Sequence, residues 1–439
     1  MDGSSVNLSQ IALLMQRHGA KKVLFKPLAN NDNSKQQIYF GGDFCVLQFI
    51  PTGKISSAGL SSKGPIFKAP IDLHWITPDG FTQQAPHAQL ILYPKYPEVR
   101  LSGMLRGCSI APSHLLQPPT DEERAKRKDS HRYLILGIRN DSILAYVSAW
   151  DDTLSHEAWH LIDSGKVIPA PPVFFEYRSK PTDSRAMLLQ KLHAIYQRGF
   201  IRSCRLDGQG NFIEYAAKNG AGYTLEAQFG ITPNGTPDPD FMDWELKTHS
   251  GGAVTLMTPE PNTGTYLECL ESFLKHYGTN QQPQRMDFAS RHTISEQNAK
   301  SGLTITLEGY DSRKRQIIDP NGGLMLRDQN KSLAAGWSFS KLLDHWKRKH
   351  ANACFVSYKA SQRDVPYYLY GPRITLATGT DLERFLHAIY SSTIYYDPGV
   401  NMKWEGNAWR AKKRNQFRVA WKNIPELYTE VKTITLTEI

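Results

Sequence analysis

Three side chains near the middle of the chain are of the types that together bind a divalent cation and act on water. Asp240 follows Pro239, and Glu245 and Lys247 come five and seven residues after Asp240. Phosphodiester cleavage needs a hard divalent cation held by oxygen ligands, and two carboxylates supply such oxygens. Because side chains alternate faces along a strand, Glu245 and Lys247 would point into one site while Trp244 points into a core.

Each member of this group would have its own role. The two carboxylates would bind the metal, and the backbone carbonyl of Leu246 would be a third protein ligand. Lys247 would orient or deprotonate the attacking water and offset phosphate charge. Upstream, residues 222–227 predict the start of a helix whose Glu226 faces the same site. The order Pro-Asp…Glu-x-Lys is typical of Mg²⁺-dependent nucleases, although two acids and a lysine at loose spacing also occur by chance.

This block resembles the MvaI/BcnI family of type II restriction endonucleases, which is related to the MutH mismatch-repair nickase. The resemblance rests on three segments: Gly222-Tyr223-Thr224-Leu225-Glu226, Pro239-Asp240-Phe241 and Trp244-Glu245-Leu246-Lys247-Thr248. It implies an α/β core of the PD-(D/E)xK type, Mg²⁺ dependence and action as a monomer. It also implies cleavage of double-stranded DNA at a short site of the CC-N-GG type, such as CCWGG.

The family's functional residues transfer onto matching positions. Asp240, Glu245 and Lys247 match the catalytic acid, acid and lysine, and Glu226 matches the helix glutamate that supports the site in MutH-like enzymes. Asp238 is a competing first acid, because its spacing to the glutamate also fits a MutH-like pattern. Asp240 is preferred because the following phenylalanine keeps the family's Asp-Phe pair.

Composition bounds the class of protein. The chain of 439 residues suggests two domains, and its net charge of +10 suits a polyanionic partner such as DNA. The cysteines stand apart without a CxxC pair, which argues against a zinc site and for a reducing compartment. They are Cys45, Cys108, Cys204, Cys269 and Cys354. No apolar run approaches the length of a membrane span, so we expect a cytoplasmic protein.

The pattern along the chain changes near a proline-rich junction. Residues 1–175 predict a mostly β domain after one N-terminal helix, with a strand at residues 45–50 and an exposed loop at residues 118–132. Residues 176–183 predict a linker. Residues 184–439 predict a mixed α/β domain, with helices over 184–200 and 266–277 and a capping box at residues 380–383.

Two polar segments of the first domain are candidates for base contacts, because amide, lysine and carboxylate side chains pair with base edges. Residues 27–37 are similar to the first DNA-reading arm of EcoRII-type N-terminal domains, which are B3-like pseudobarrels, and residues 94–106 would be the second arm. Ordinary polar loops are the alternative. The proposed contacts are Lys26, Asn31, Asp32, Ser34, Lys35, Gln37, Lys95, Tyr96, Glu98, Arg100 and Arg106.

A basic, tryptophan-containing segment lies near the C-terminus, where Lys412, Arg414, Gln416 and Arg418 resemble the late segment with which MvaI-like enzymes read DNA. A solvated basic surface is the alternative. His249 and His292 could assist the site, but a structural role is favoured for both.

A B3-like reader joined to an MvaI-like nuclease resembles a monomeric type IIE enzyme, in which one domain binds a second, effector copy of the site. We therefore expect double-stranded DNA as partner of both domains and a cognate methyltransferase that is not a subunit. Two alternatives stay open: a MutH-like nickase, and a non-enzymatic DNA-binding protein with a decayed nuclease fold.

Overall fold

The computed structural model divides the chain into two compact units, residues 1–182 and residues 183–439. It describes residues 6–29, 37–42, 44–62, 64–96, 98–127, 130–170, 173–178, 184–217, 219–233, 239–242, 244–349, 352–361 and 364–438. Within these ranges, no helix is long and apolar enough to cross a membrane.

The first unit is built mostly of strands. Its helices are α1 (Leu8–Arg17), α2 (Ser113–Leu116), α3 (Asp121–Lys126) and α4 (Thr153–Asp163). Its strands are β1 (Lys22–Pro27), β2 (Ile38–Gly41), β3 (Ser56–Ser61), β4 (Gly64–Pro70), β5 (Leu73–Ile76), β6 (Thr82–Gln84), β7 (Gln89–Tyr93), β8 (Glu98–Ser102), β9 (Tyr133–Ile138), β10 (Ile143–Val147), β11 (Ile168–Ala170) and β12 (Phe174–Tyr177).

In the described part of this unit, the strands form two sheets, with orders β11-β12-β1-β9-β10-β5-β6 and β2-β8-β7-β4-β3. Pairing is antiparallel except between β10 and β5. One core lies where α1 and α4 cover β1 and β9, with Ile11, Met15, Phe25 and Ile135 buried. The predicted β-rich class is therefore confirmed, whereas the B3-like topology stays a prediction.

Three predicted segments of this unit can be compared with the structure. The predicted strand at residues 45–50 is wrong, because Phe44–Gln48 form a 3₁₀ helix. The predicted exposed loop contains α3, which Thr120 and Glu123 cap reciprocally. The predicted linker begins inside β12, since Glu176 and Tyr177 pair with β1, and residues 179–183 lie outside the described ranges.

The second unit is mixed α/β. Its helices are α5 (Ser184–Gln197), α6 (Gly220–Gln228), α7 (Thr265–Glu268), α8 (Leu270–Tyr277), α9 (Phe339–Lys349) and α10 (Leu382–Tyr390). Its strands are β13 (Ile201–Arg202), β14 (Cys204–Leu206), β15 (Phe212–Glu214), β16 (Glu245–His249), β17 (Ala253–Met257), β18 (Asn280–Gln282), β19 (Arg285–Phe288), β20 (Thr304–Glu308), β21 (Tyr310–Asp311), β22 (Gln316–Ile317), β23 (Gly323–Arg327), β24 (Leu333–Ser338), β25 (Asn352–Ser361), β26 (Tyr367–Thr378), β27 (Ile394–Pro398), β28 (Val400–Glu405), β29 (Ala408–Lys412), β30 (Asn415–Ala420) and β31 (Glu430–Thr435).

The central sheet of this unit has the order β13-β26-β25-β16, and β31 pairs with β26. Strand β16 runs parallel to β25, with Glu245 opposite Ala353 and Lys247 opposite Phe355. Within the described residues, β16 pairs with β25 alone and so forms an edge of the sheet. Helices α5 and α6 pack on this sheet through a core that includes Leu192 and Leu225.

Helix α6 is held against its neighbours at close range. The hydroxyl of Tyr370 donates to the carbonyl of Ala221 at 2.7 Å, and both groups are buried. A Cβ at Gly220 would lie 2.5 Å from Ser203 Oγ and 2.7 Å from Tyr368 Oη, whereas a Cβ at Gly222 would meet nothing closer than 3.9 Å. The first glycine therefore sets how closely α6 approaches the sheet.

We predict that Gly220→Ala lowers the free energy of unfolding by about 1–3 kcal/mol, because the added methyl overpacks a buried contact. Gly222→Ala in the same helix is the matched control and should be neutral or stabilise by up to about 1 kcal/mol, since alanine is the better helix former. Urea denaturation of the full chain measures both, and equal effects of the two substitutions would contradict the packing account.

Candidate active site

A tight turn places Asp240 beside the first residues of β16. Phe241 and Trp244 exchange backbone hydrogen bonds, 2.9 Å and 2.8 Å long, across this turn, and Met242 takes a positive φ of 54°. One carboxylate oxygen of Asp240 accepts a 2.8 Å hydrogen bond from the backbone N–H of Leu246. The acid is thus fixed against the strand by the main chain.

Glu245 and Lys247 lie on one face of β16, opposite the face that carries Trp244 and Leu246 into the core. The Lys247 ammonium donates to Glu245 Oε1 at 2.6 Å. Glu245 is only 2% exposed, and its other oxygen, Oε2, is buried without a hydrogen-bond partner in the described structure. A buried carboxylate oxygen without a partner is costly unless it receives a ligand.

Opposite charges converge on Lys247. Burial lowers the pKa of its ammonium, but the charges of Glu245, Asp240 and Glu226 outweigh burial and raise that pKa above its ordinary value. Glu226 comes from α6, so a helix and a strand contribute to one acidic group. Lys247 is therefore a cation held among three carboxylates. The buried Tyr428 also faces this group, and burial followed by the charge of Glu245 raises its pKa.

The oxygens at this site suit a hard divalent cation. Two carboxylates, Asp240 and Glu245, stand beside one strand, and Glu245 Oε2 is free to bind. In an extended strand, the N–H and C=O of one residue point to the same side. The carbonyl of Leu246 therefore lies on the side where Asp240 meets its N–H. In the described residues no three His, Cys, Asp or Glu side chains form a metal-binding group, so a backbone oxygen or water would complete the ligand set.

The basic segment near the C-terminus belongs to β29 and β30. Along β30 the burial pattern alternates, so Gln416 and Arg418 lie on the more exposed face and Asn415 on the buried one. Lys412 ends β29 and is exposed. Arg418 donates to Asp397 Oδ2 at 2.7 Å, so part of its donor capacity is already used.

Arg414 links this segment to the helix of Glu226. Burial raises the pKa of the Tyr223 hydroxyl on α6, with further increases from Tyr215 and Glu226, while the charges of Arg205 and then Arg414 lower it. The arginine is therefore close enough to α6 to act on a tyrosine one turn before Glu226. The charge of Arg414 therefore acts on the helix that also carries Glu226.

A buried polar network anchors the start of β30, and it was missed in the sequence. Asn415 is fully buried; its amide donates to Glu260 Oε1 and to Tyr266 Oη, each at 2.9 Å. Its carbonyl accepts from the Tyr396 hydroxyl at 2.7 Å. Lys413 lies 3.7 Å from the second oxygen of Glu260. One feature of the sequence could have revealed this network. In the alternating pattern of β30, Asn415 occupies a position of the kind that is otherwise filled by buried apolar residues.

The residues of the first unit that are predicted to contact DNA differ in how exposed their side chains are. Tyr96 is 59% exposed, with the Lys95 ammonium over its ring, and Arg106 is also exposed. Arg100 pairs with Glu98 at 3.1 Å and donates to Gln37. Asn31, Asp32, Ser34 and Lys35 lie outside the described residues, as does the competing acid Asp238 of the second unit.

The side chain of Lys26, which is predicted to contact DNA, is buried in the structure. Its ammonium is buried, donates to the backbone carbonyl of Tyr39, and has a pKa lowered by burial to about 8. The reason is its place in β1, between β9 and β12, where a side chain faces the interior of the unit. The contact between Lys26 and DNA stays a prediction, and in this structure the ammonium is bonded within the first unit.

The two histidines are held by packing. The His249 ring stacks on Trp421 with centroids 3.5 Å apart, and burial lowers its pKa to about 4. His292 is 1% exposed, lies against Phe288 and shares a hydrogen bond with Ser301 at 3.0 Å. Burial also lowers its pKa to about 4. Both rings are neutral at physiological pH.

Comparison with known proteins gives a match over the second unit. The family model for MvaI/BcnI restriction endonucleases matches residues 189–428. The structure of a complex between restriction endonuclease MvaI and its cognate DNA substrate aligns at 17% identity with a TM-score of 0.46, over 58% of this chain and 99% of that chain. MvaI in the absence of DNA aligns at 15% identity with a TM-score of 0.33, over 59% and 100%. No curated protein matches.

We predict that His292 makes the stability of the protein acid-sensitive. Because its folded pKa is about 4, against 6.5 ordinarily, the unfolded chain binds a proton between these pH values that the folded chain does not. Its contribution is complete above pH 6.5 and is lost as the pH falls towards 4. Between pH 7.5 and 5, we expect His292 alone to account for a loss of about 2 kcal/mol.

Urea denaturation at the two pH values measures this loss. His292→Phe should reduce the difference by about that amount, and the exposed His276→Gln is the matched control. An unchanged pH dependence in His292→Phe would contradict the assignment.

Proposed function

Because the chain belongs to the MvaI/BcnI restriction endonuclease family, and is thus a type II restriction endonuclease, we propose that it requires Mg²⁺ and cuts both strands of DNA at a short site of the CC-N-GG type, such as CCWGG. The observation that carries this proposal is the convergence of Asp240, Glu245, Glu226 and Lys247 at β16 and α6.

The metal would be held by the carboxylates of Asp240 and Glu245 and by the carbonyl of Leu246. When bound, Mg²⁺ supplies stabilisation of charge on the phosphate and a lower pKa for a coordinated water. Glu245 has one oxygen available for this task and gives the other to Lys247. The bond from the Leu246 N–H keeps Asp240 in place beside Glu245.

Lys247 would act as a fixed positive charge. The neighbouring carboxylates raise its pKa and so favour the protonated form, in which it would orient the attacking water and offset phosphate charge. Glu226 adds negative charge on the helix side and so helps to keep the ammonium in place. The intact set of acids and lysine speaks against a decayed nuclease.

We predict that Glu245→Gln and Lys247→Gln each lower the rate of DNA cleavage by about a hundredfold or more, because each removes a metal ligand or the positive charge beside it. Binding to DNA in Ca²⁺ should stay within a few-fold of the parent. Plasmid cleavage with mapped ends measures the rate, and a product that is only nicked would identify a MutH-like nickase instead.

The control for this experiment is Glu268→Gln, an acid-to-amide change at an exposed position of α7. Removing one partner of a buried ion pair also destabilises the fold. Thermal unfolding of each variant therefore accompanies the rates, and only variants folded at the assay temperature are compared. Near-parental turnover in a folded Glu245→Gln or Lys247→Gln would refute the assignment.

The second unit would read the site through the exposed face of β30 and the residues before it. Lys412 and Arg414 offer cations for phosphates or guanine, and Gln416 and Arg418 project from one strand face. The buried network around Asn415 would keep this segment in register with the acidic group. One chain would carry a complete site, so the enzyme would act as a monomer.

The first unit would bind a second copy of the site and stimulate cleavage, as in type IIE enzymes. Its mostly β structure and the exposed Lys95 and Tyr96 support this role. The Glu98–Arg100 pair would present one acceptor and one donor side by side. Such an enzyme would act in the prokaryotic cytoplasm, where a separate methyltransferase protects the host sites.

We predict that the parent cuts a two-site plasmid faster than a one-site plasmid and that a short cognate oligonucleotide in trans restores the one-site rate. Lys95→Ala with Arg100→Ala should weaken this stimulation by about tenfold, since a good base contact contributes about 1–3 kcal/mol of discrimination. The basal rate on one site should not change. Equal rates on both plasmids would reduce the first unit to an affinity module.

A further inference from the structure

The sheet with strand order β18-β19-β28-β29, here called the cationic sheet, brings positive charges from distant segments into one row. Arg285 of β19 is opposite Lys403 of β28, and Lys403 is opposite Arg410 of β29. Side chains directly opposite each other on antiparallel strands share a face. The three cations therefore lie side by side across three strands, although more than a hundred residues separate Arg285 from Arg410.

The adjacent row of the same face is polar. Asp287 is opposite Asn401, which is opposite Lys412. Arg285 holds Asp287 with two hydrogen bonds of 2.7 Å and 2.9 Å. Arg285, and more weakly Lys403, keep the pKa of the Asp287 carboxyl below its ordinary value. This carboxylate is thus already neutralised within the row.

The opposite face of the sheet packs on the core at β19, whereas Trp404 of β28 on that face is 44% exposed. Met286 and Phe288 are buried there, and the Phe288 ring meets Phe273 of α8 with centroids 4.9 Å apart. Lys403, Arg410 and Lys412 are exposed, and Arg285 is 44% exposed. The four cations therefore face solvent, while Asp287 on the same face is 8% exposed and α8 packs on the other face at β19.

This arrangement leaves an excess of positive charge. The face carries the four cations just named against two acids, Asp287 and Glu405. Like charges placed directly opposite each other destabilise a sheet unless an anion lies between them. We propose that the face of the cationic sheet binds the phosphate backbone of duplex DNA and extends the DNA path beyond the residues that read the site.

The dimensions suit this partner. Neighbouring strands lie about 4.8 Å apart, so the row of three cations spans about 10 Å. A duplex carries about one phosphate charge per 1.7 Å of axis and thus about six over that length. The sheet is also continuous in sequence with the reading segment, because Arg410 of the row and Lys412 of the reading segment lie on the same strand, β29, and Arg414 and β30 follow directly.

This inference rests on the proposed function and adds that two parts of the second unit have different roles in binding DNA. Contacts to phosphates position a protein on DNA but carry no sequence information. The cationic sheet would therefore supply affinity that depends on salt, whereas β30 would supply preference for the site. Loss of charge on the sheet should weaken binding to every duplex by the same factor.

The test uses the full chain in Ca²⁺ with a duplex containing the cleaved site and a random duplex of equal length. Lys403→Gln combined with Arg410→Gln removes two charges and keeps the side-chain stems. The slope of the logarithm of affinity against the logarithm of salt should fall by about two, and by about one for each single variant. The ratio between the two duplexes should stay within about twofold of the parent.

Two matched variants control for charge and for general effects. Lys403→Arg keeps the charge and should keep the slope. Lys275→Gln removes an exposed cation from α8, the helix behind the sheet, and should not change the slope. An unchanged slope in the double variant would overturn the inference, and so would a change in the ratio of more than about twofold, because the face would then read bases.

Failure of this inference is distinguishable from failure of the proposed function. The salt dependence of binding needs no cleavage, and cleavage by the parent in Mg²⁺ is measured separately. If the parent cuts DNA while the double variant keeps the parental slope, the cationic sheet has no part in binding. If the parent cuts no DNA, the proposed function fails whatever the slopes are.

Discussion

The second unit depends on a charged pair placed almost in its core. Glu245 and Lys247 lie on a strand whose other face, with Trp244 and Leu246, belongs to the hydrophobic core. Burying a carboxylate and an ammonium costs several kcal/mol each, and their attraction offsets that cost only when the geometry is close. The parallel pairing with β25 fixes the strand that carries the pair. The packing of α6 brings Glu226 towards the same strand.

The acidic group could be predicted from the sequence because its physics is local. The alternation of Trp244, Glu245, Leu246 and Lys247 assigns each side chain to a face as soon as the segment is a strand. The helix carrying Glu226 was also predictable from its sequence. The hydrogen bond from Leu246 to Asp240 was not predictable, because a turn residue with positive φ, Met242, brings the acid back to the strand.

Other features depend on contacts between distant segments. The six apolar-rich residues from 45 to 50 suggested a strand, but three-dimensional packing closes most of them into a 3₁₀ helix. The predicted helix over 266–277 is broken at Cys269, whose backbone is extended. The N-cap of α10 is Asp381 in place of Thr380. The row of Arg285, Lys403 and Arg410 arises from strand register, which no local pattern contains.

The polar network around Asn415 and the acidic group at β16 differ in whether their buried polar atoms find hydrogen-bond partners. Around Asn415, every described donor and acceptor of the asparagine side chain finds a partner, so the network can specify one position for β30. At Glu245, one oxygen is left without a partner. A fully satisfied network gives rigidity, whereas an unsatisfied atom keeps the capacity to bind.

The bond between Asp240 and the Leu246 N–H has a further consequence for the edge of the central sheet. Edge strands offer rows of unpaired backbone groups that invite pairing with other chains, and proteins protect them with charges or covering loops. Strand β16 is such an edge in the described structure, and the carboxylate of Asp240 occupies one of its donors while Lys247 places a cation beside it. Asp240 thus caps one backbone donor of this edge, besides the metal-binding role proposed for it.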